Sequence, residues 1–506
     1  MPNLPLAQDL IRQAADLCAL ASQHAERYVR FEQQRAQRVL PAVQALDAAH
    51  PALQDPIKDI QSTLAAAEQA VRAQNHDLAA SLLAKAQAQA EQATALQAAS
   101  QTYVKRIKAL ETQATALTSH RPRAQDAVIG PDVRGVDLAL QAARDQALAN
   151  DYTAALKALD TAELTCKAAE LKRSVKAKAL SADQMKQACT ALMATEGGAG
   201  VLDKLVGSLT EADSHDAVLA AMAARFGLEA AVSEGSGASA ASMKELCRLY
   251  QVMTRVPDTH TKDNPSLKKV TRKATPGSAY GSGEITMGEG HPDASASYRV
   301  GATTELPAVD PDCQPKAGSP TPTYFDWNTL HEIGHAMDDK KQFMATHGSG
   351  AAYGGWITHG GDLLAVGAAA AAAFGFADVT PKIIAVYLDN GTEPAATVTD
   401  PAHWAAVKRW VAKVRHSQNP WSLGAECNKS VTAGGFKIGD RVFHEAYDKV
   451  WVSYLASARA QGMTGYQFRA PGEWFSELYA GYKMQKLKDS HPAKAWLDKL
   501  FATSTP

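Results

Sequence analysis

Across its first 180 residues the chain carries glycine at only two positions, Gly130 and Gly135, while Ala, Gln and Leu recur at helical spacing through long uninterrupted stretches. Glycine is the residue that most readily supplies the left-handed turns between strands, and apolar residues at i, i+3, i+4 and i+7 trace one face of a helix. Residues 1–180 therefore predict an all-α region of long amphipathic helices with short connections, packed as an antiparallel bundle. Turn and cap residues place breaks at "HPALQDP" (50–56), "SHRPRAQDAVIGPD" (119–132) and "AND" (149–151). A weak internal repeat accompanies them. "RYVR" (27–30), "TYVK" (102–105) and "RSVK" (173–176) recur at offsets of 75 and 71 residues, and "NHDLAASLLAKA" parallels "ANDYTAALKALD".

The pattern changes further along. Residues 181–240 read as a helical connector of shorter, glycine-containing helices ending in the small-residue loop "SEGSGASAAS" (233–242). From 241 to 506 aromatics and prolines rise, and "GSAYGSGEITMGEG" (277–290) and "SASYRVGATTEL" (295–306) alternate as strands do. The expected architecture is mainly α: a helical bundle followed by an α+β domain with a small sheet. A chain of 506 residues exceeds what one core serves, so two to three domains are expected.

Charge excludes more than it assigns. A net charge of −1 provides no global field for nucleic acid or an anionic membrane. Six scattered cysteines without a CxxC predict free thiols in a reducing compartment. The apolar run from Leu363 to Ala377 falls short of the roughly 20 residues a bilayer requires and reads as a buried helix. "MPNLPLAQDLIRQ" lacks the basic and apolar regions of a secretory signal peptide.

Chemistry concentrates in "TYFDWNTLHEIGHAMDD" (323–339), where His331 and His335 lie four residues apart with Glu332 after the first. At that spacing two imidazoles share one helix face and can reach one ion, with Glu332 beside them. Asp326 reads as the N-cap, and Gly334 permits close approach of another element. A catalytic zinc site needs a third ligand and an open fourth position. "TGYQFRAPGEWFSELYAGYKM" (464–484) supplies a candidate: Pro471 suits a first helical turn, and Glu473 and Glu477 then sit one turn apart beside an apolar surface. Half-buried carboxylates need cationic or hydrogen-bonded partners, which a zinc ion and a zinc-bound histidine would supply.

Taken together, these motifs resemble the zinc metalloproteases of the anthrax lethal factor type. "HEIGHAMDD" matches that family's HExGHAxDD helix, and "YQFRAPGEWFSELY" its tyrosine, six intervening residues and ExFxE. The resemblance is closer still to bacterial effector metallopeptidases, including toxins delivered by type VI secretion. It implies a zincin-like domain over 241–506, with one Zn2+ held by His331, His335 and Glu473. Glu332 would be the general base, Tyr466 the catalytic tyrosine that donates to the oxyanion, and Glu477 an acceptor for a ligating histidine. The 137 residues between His335 and Glu473 are a far longer excursion than in lethal factor, and the N-terminal helices lie outside the resemblance.

The expected reaction is peptide-bond hydrolysis by an endopeptidase acting as a secreted effector, made in the bacterial cytoplasm and exported into a target cell by a specialised system. Its partners would be a protein or peptide substrate, a cognate immunity protein and a secretion component, with no nucleic acid and no membrane span. Substrate is expected along the edge of the strand containing Gly283, Glu284, Ile285 and Thr286, with Arg469 at the cleft, and Asp338 is expected to orient a ligand histidine. His359 and His444 read as packing residues. Two alternatives stand beside this: a zinc amidase acting on cell-wall peptides, and a helical scaffold whose zincin-like module only binds. The bundle over 1–180, without convergent chemical groups, is assigned to delivery, targeting or oligomerisation.

Overall fold

The structure is a computed structural model that describes residues 4–118, 126–230, 241–273, 277–288, 324–374, 435–438, 441–447, 450–464 and 466–502, with isolated positions 381, 402 and 405. The described chain is mainly helical with two small sheets. It divides into two compact units, Met1–Arg173 and Ser174–Pro506, so the helices within 181–240 belong to the second unit rather than to a separate connector.

In the first unit, α1 (Leu4–Gln34) continues through a π turn into α2 (Leu40–Gln44), followed by α3 (Pro51–Arg72), α4 (His76–Thr118), α5 (Asp126–Leu148) and α6 (Tyr152–Lys176). Two apolar clusters form its interior. One joins α1, α3 and the first half of α4 around Phe31, Leu53, Ile60 and Leu83, and the other joins the second half of α4 to α5 and α6 around Tyr103, Val136, Leu140 and Leu159.

The repeat has a structural counterpart. The turns after α3 and α5 share one construction. Gln74 and Asn150 both take left-handed backbone, at φ 59° and 61°. The next residue in each, Asn75 or Asp151, accepts from the backbone N–H of the residue three further on, Leu78 or Ala154. Each helix also carries a proline at its sixth residue, Pro56 and Pro131. The stretch ending at 132, expected as a break, therefore passes into helix at Asp126. At the sixth residue, just past the first turn, each proline removes one i→i−4 hydrogen bond from its helix.

In the second unit, α7 (Ala182–Met193), α8 (Gly198–Gly207) and α9 (His215–Phe226) lead into a sheet of strand order β1-β2-β4-β3, with α10 (Met243–Met253) between its first and second strands in the chain. Its strands are β1 (Glu229–Ala230), β2 (Lys269–Lys273), β3 (Ala279–Gly281) and β4 (Glu284–Gly288). β3 and β4 form a hairpin whose two-residue turn, Ser282–Gly283, has positive φ at both positions, 52° and 84°, the geometry that matches strand twist. The second expected strand, 295–306, lies outside the described residues.

Then come α11 (Tyr324–Lys341), α12 (Phe343–His347), β5 (Ile357–Gly360) and α13 (Leu363–Phe374). After them lie β6 (Gly435–Ile438), β7 (Arg441–Tyr447), β8 (Val450–Leu455), α14 (Pro471–Lys483) and α15 (Pro492–Ala502). The long excursion between the histidines and Glu473 thus builds its own antiparallel sheet, in the order β5-β8-β7-β6. His359 lies 3.0 Å from Ser453 and stacks on Phe443, and His444 is buried against Tyr454, so both pack within this sheet. In α13, Val366 and Gly367 are buried while Leu364 and Ala368 are exposed, so among its described residues burial is not all round. No described helix is long and apolar enough to cross a membrane.

Candidate metal centre

α11 and α14 carry the site. Leu330, Ile333, Ala336 and Met337 of α11 and Trp474, Phe475, Leu478 and Tyr479 of α14 are all buried, which draws the two helices together. Gly334 sets how closely they meet: a Cβ there would sit 2.9 Å from Ser476 Cα. No side chain fits at that distance without a backbone shift. α14 begins, as expected, with Pro471 in its first turn behind the extended residue Ala470.

That approach brings three donor atoms together. His331 Nε2 lies 2.9 Å from Glu473 Oε2, His335 Nε2 lies 3.2 Å from the same oxygen, and the two Nε2 atoms are 3.1 Å apart. Among the described residues this is the one group of three or more such side chains placed to hold a metal ion. Burial by itself would lower the basicity of His331, but Glu473 and Glu477 outweigh it and hold its pKa well above the ordinary value. Burial likewise raises Glu473, yet the two histidines prevail and keep it well below the usual range.

Glu477 stands behind the first histidine, its Oε1 being 2.7 Å from His331 Nδ1. The Trp327 indole N–H donates to this carboxylate at 3.1 Å and the Thr464 hydroxyl at 2.5 Å. A carboxylate at Nδ1 keeps a proton there and turns the Nε2 lone pair toward the donor cluster. Trp327 had a signal in the sequence, one turn before His331 on the same face. Thr464, in an irregular stretch, had none.

Glu332 is buried, and its Oε2 has no hydrogen-bond partner among the described residues. Burial pushes its pKa up, against the opposing pull of His331 and His335. Such an orphaned carboxylate oxygen is costly unless something polar completes it. Tyr466 donates to Glu473 Oε1 at 3.2 Å and receives a hydrogen bond from Arg469 Nη1 at 2.9 Å. Arg469 therefore sits behind the tyrosine.

Three expectations change. Asp326 is not an N-cap: it lies buried in the first turn of α11 and is clamped by Arg248 of α10, at 2.7 Å, and by Arg255 just past the end of α10, at 2.8 Å. Asp338 Oδ1 accepts from the Met344 backbone N–H at 2.8 Å, which fastens α12 to α11, and no hydrogen bond to His335 accompanies it among the described residues. The strand expected to offer its edge is interior. β4 pairs with β2 on one side and β3 on the other, Gly283 is in the hairpin turn, Ile285 is fully buried, and Glu284 and Thr286 engage Thr271 across the sheet.

β1 and β3 are the sheet's edge strands, and β3 has among the described residues a neighbour only on its β4 side. Tyr280 of β3 stacks on His335, ring centroids 6.4 Å apart and planes 6° from parallel, and its hydroxyl lies 2.8 Å from Asp339 Oδ2. The sequence carried no signal for this contact. Among the described cysteines Cys18, Cys166, Cys189 and Cys247 are free thiols, and Cys313 and Cys427 lie outside the described residues. No protein-family model, curated protein or solved structure matches this chain.

Proposed function

We propose that the chain is a zinc-dependent endopeptidase with a zincin-like catalytic domain. The observation that carries this reading is the set of separations between His331 Nε2, His335 Nε2 and Glu473 Oε2, from 2.9 to 3.2 Å. Ligands placed tetrahedrally at 2.0–2.1 Å from zinc are about 3.3 Å apart, so these atoms fit three corners of such a site with little adjustment. Two imidazoles and a carboxylate are also the donor types of catalytic zinc, and the carboxylate on Nδ1 of His331 is the usual support for a ligating histidine.

Bound zinc would supply Lewis acidity and an activated water in the open position. Each nearby residue then has a task. Glu332, with one oxygen unpartnered, takes a proton from the attacking water and returns it to the leaving amine. Tyr466, held by Arg469, donates its hydroxyl to the oxyanion of the scissile carbonyl. A peptide laid along the edge of β3 would pass the face of His335 on which Tyr280 stacks.

The effector role, with export from a bacterial cytoplasm and an immunity partner, is supported by the likeness of "HEIGHAMDD" and "YQFRAPGEWFSELY" to effector metallopeptidases. Metal analysis tests the chemistry: wild type and Glu332→Ala should each hold about one zinc per chain and Glu473→Ala little, with both variants inactive. New protein termini in cells producing wild type, compared with Glu332→Ala, would identify the substrate. A wild-type protein that neither carries nor takes up zinc would sink the reading.

A further inference from the structure

We propose that the first half of α1 is a self-association surface, on which α1 of a second copy packs antiparallel. The helix spans Leu4–Gln34, but among the described residues of its own unit only its later part is covered. Phe31 is buried in the first apolar cluster, His24 Nδ1 lies 2.8 Å from His76 Nε2, and Arg27 pairs with Asp77. α4 starts at His76, level with these residues, so the preceding five turns of α1 extend beyond it.

On that overhang the side chains are strictly sorted. Leu10, Leu17 and His24 alternate with Ala7, Ala14 and Ala21 at spacings of four and three residues, a heptad seam that continues to the buried Phe31. Leu6 and Leu20 flank it on one side, and Leu4, Ile11 and Cys18 on the other. The charges of this stretch, Asp9, Arg12 and Asp16, all lie on the opposite face, where Arg12 bonds Asp9. Yet Leu10 is 58%, Leu17 66% and Ile11 70% exposed.

A second copy fits this face because its large and small residues alternate. Run antiparallel with the two-fold axis beside residue 12, each layer sets leucine against alanine. Leu10 meets Ala14 of the other copy, Leu17 meets Ala7, Leu6 and Leu20 pair along one flank, and Ile11 meets its own equivalent. A parallel pair would instead stack leucine on leucine and alanine on alanine, alternating crowded layers with voids, which close packing disfavours. The isologous contact closes as a dimer. Covering six half-exposed Leu and Ile side chains on each copy buries on the order of 1,000 Å² in total, near the lower bound for a specific interface.

The test is the mass of the full chain in solution at tens of micromolar, by sedimentation or light scattering. Twice the 53.7 kDa chain mass is expected for the wild type. Leu10→Asp combined with Leu17→Asp should give a monomer with unchanged helicity and zinc content, since neither side chain belongs to the core of its own chain. Orientation is read from Ala14→Leu, which should weaken the dimer about tenfold by colliding with Leu10, while adding Leu10→Ala should restore it. A wild type that stays monomeric, or a dimer indifferent to the aspartates, overturns the proposal. Tighter association of Ala14→Leu would mean a parallel pair and would overturn the antiparallel one.

Discussion

Two helix pairs in this protein are packed with opposite materials. Where α3 meets α4, the buried residues are Leu53, Ile60, Ala67, Leu83, Ala86 and their like, and the result is cohesion alone. Where α11 meets α14, the aliphatic and aromatic packing surrounds His331, Glu332, Glu473 and Glu477, all buried. Burying ionisable groups is unfavourable unless each is paired, and a well-packed apolar substitute is often at least as stable. A helix pair built only for stability has no use for them. The contrast therefore marks the α11–α14 contact as the candidate site, independently of any motif.

That contrast can be broken in order of effect. Glu332→Gln should lower peptide hydrolysis by about 10² to 10⁴-fold, the usual contribution of a general base, with zinc content and both units' unfolding unchanged. Loss of zinc in this variant would mean the residue is structural. Leu53→Ala should destabilise the first unit by about 2–5 kcal/mol in denaturant titrations while sparing zinc binding and activity, because Leu53 is fully buried in an apolar cluster with no tie to the site.

Glu477→Gln should weaken zinc binding by about 10 to 100-fold in competition with a chelator, as removal of the acceptor behind a ligating histidine commonly does. Unchanged affinity would show that Glu477 serves only Trp327 and Thr464. Gly334→Ala forces a methyl toward Ser476 and should cost the second unit about 1–3 kcal/mol, lowering zinc affinity with it.

The last effect, absent at neutral pH, concerns His260, fully buried, with Nδ1 2.7 Å from the Tyr479 hydroxyl. Burial, aided by Lys483, Lys340 and Lys341, lowers its pKa from 6.5 to about 3. Between those values the unfolded chain binds a proton that the native state refuses, so stability falls as pH drops from 6.5 toward 3. The slope is about 1.4 kcal/mol per pH unit, and is absent above that window. Subtracting the pH profile of His260→Asn from that of wild type isolates it. Identical profiles would remove the argument.

What could be read from residue order alone was whatever repeats within one or two helical turns. The placement of His331 and His335 on one face, Glu473 and Glu477 one turn apart behind Pro471, and the turn at Asn150 all follow from local geometry. Partners distant in sequence were not legible in the same way. That β4 is interior and β3 an edge depends on which strands assemble beside it, and alternation is the same for both. That Arg248 and Arg255 clamp Asp326, or that Tyr280 lies over His335, depends on approach across some 55 residues or more.

Residue order alone carries two properties: a helical, glycine-poor first region, and two helix faces bearing donor groups that could serve one metal ion. Both are properties of a single helix and its 3.6-residue period. Tertiary packing sets the rest: the three donors meet within 3.2 Å, and among the described residues Glu332 keeps one oxygen unpartnered and the first half of α1 has its apolar seam exposed. Each of these depends on which faces pack together and how closely, and the close contact of Gly334 with Ser476 sets that distance at the site.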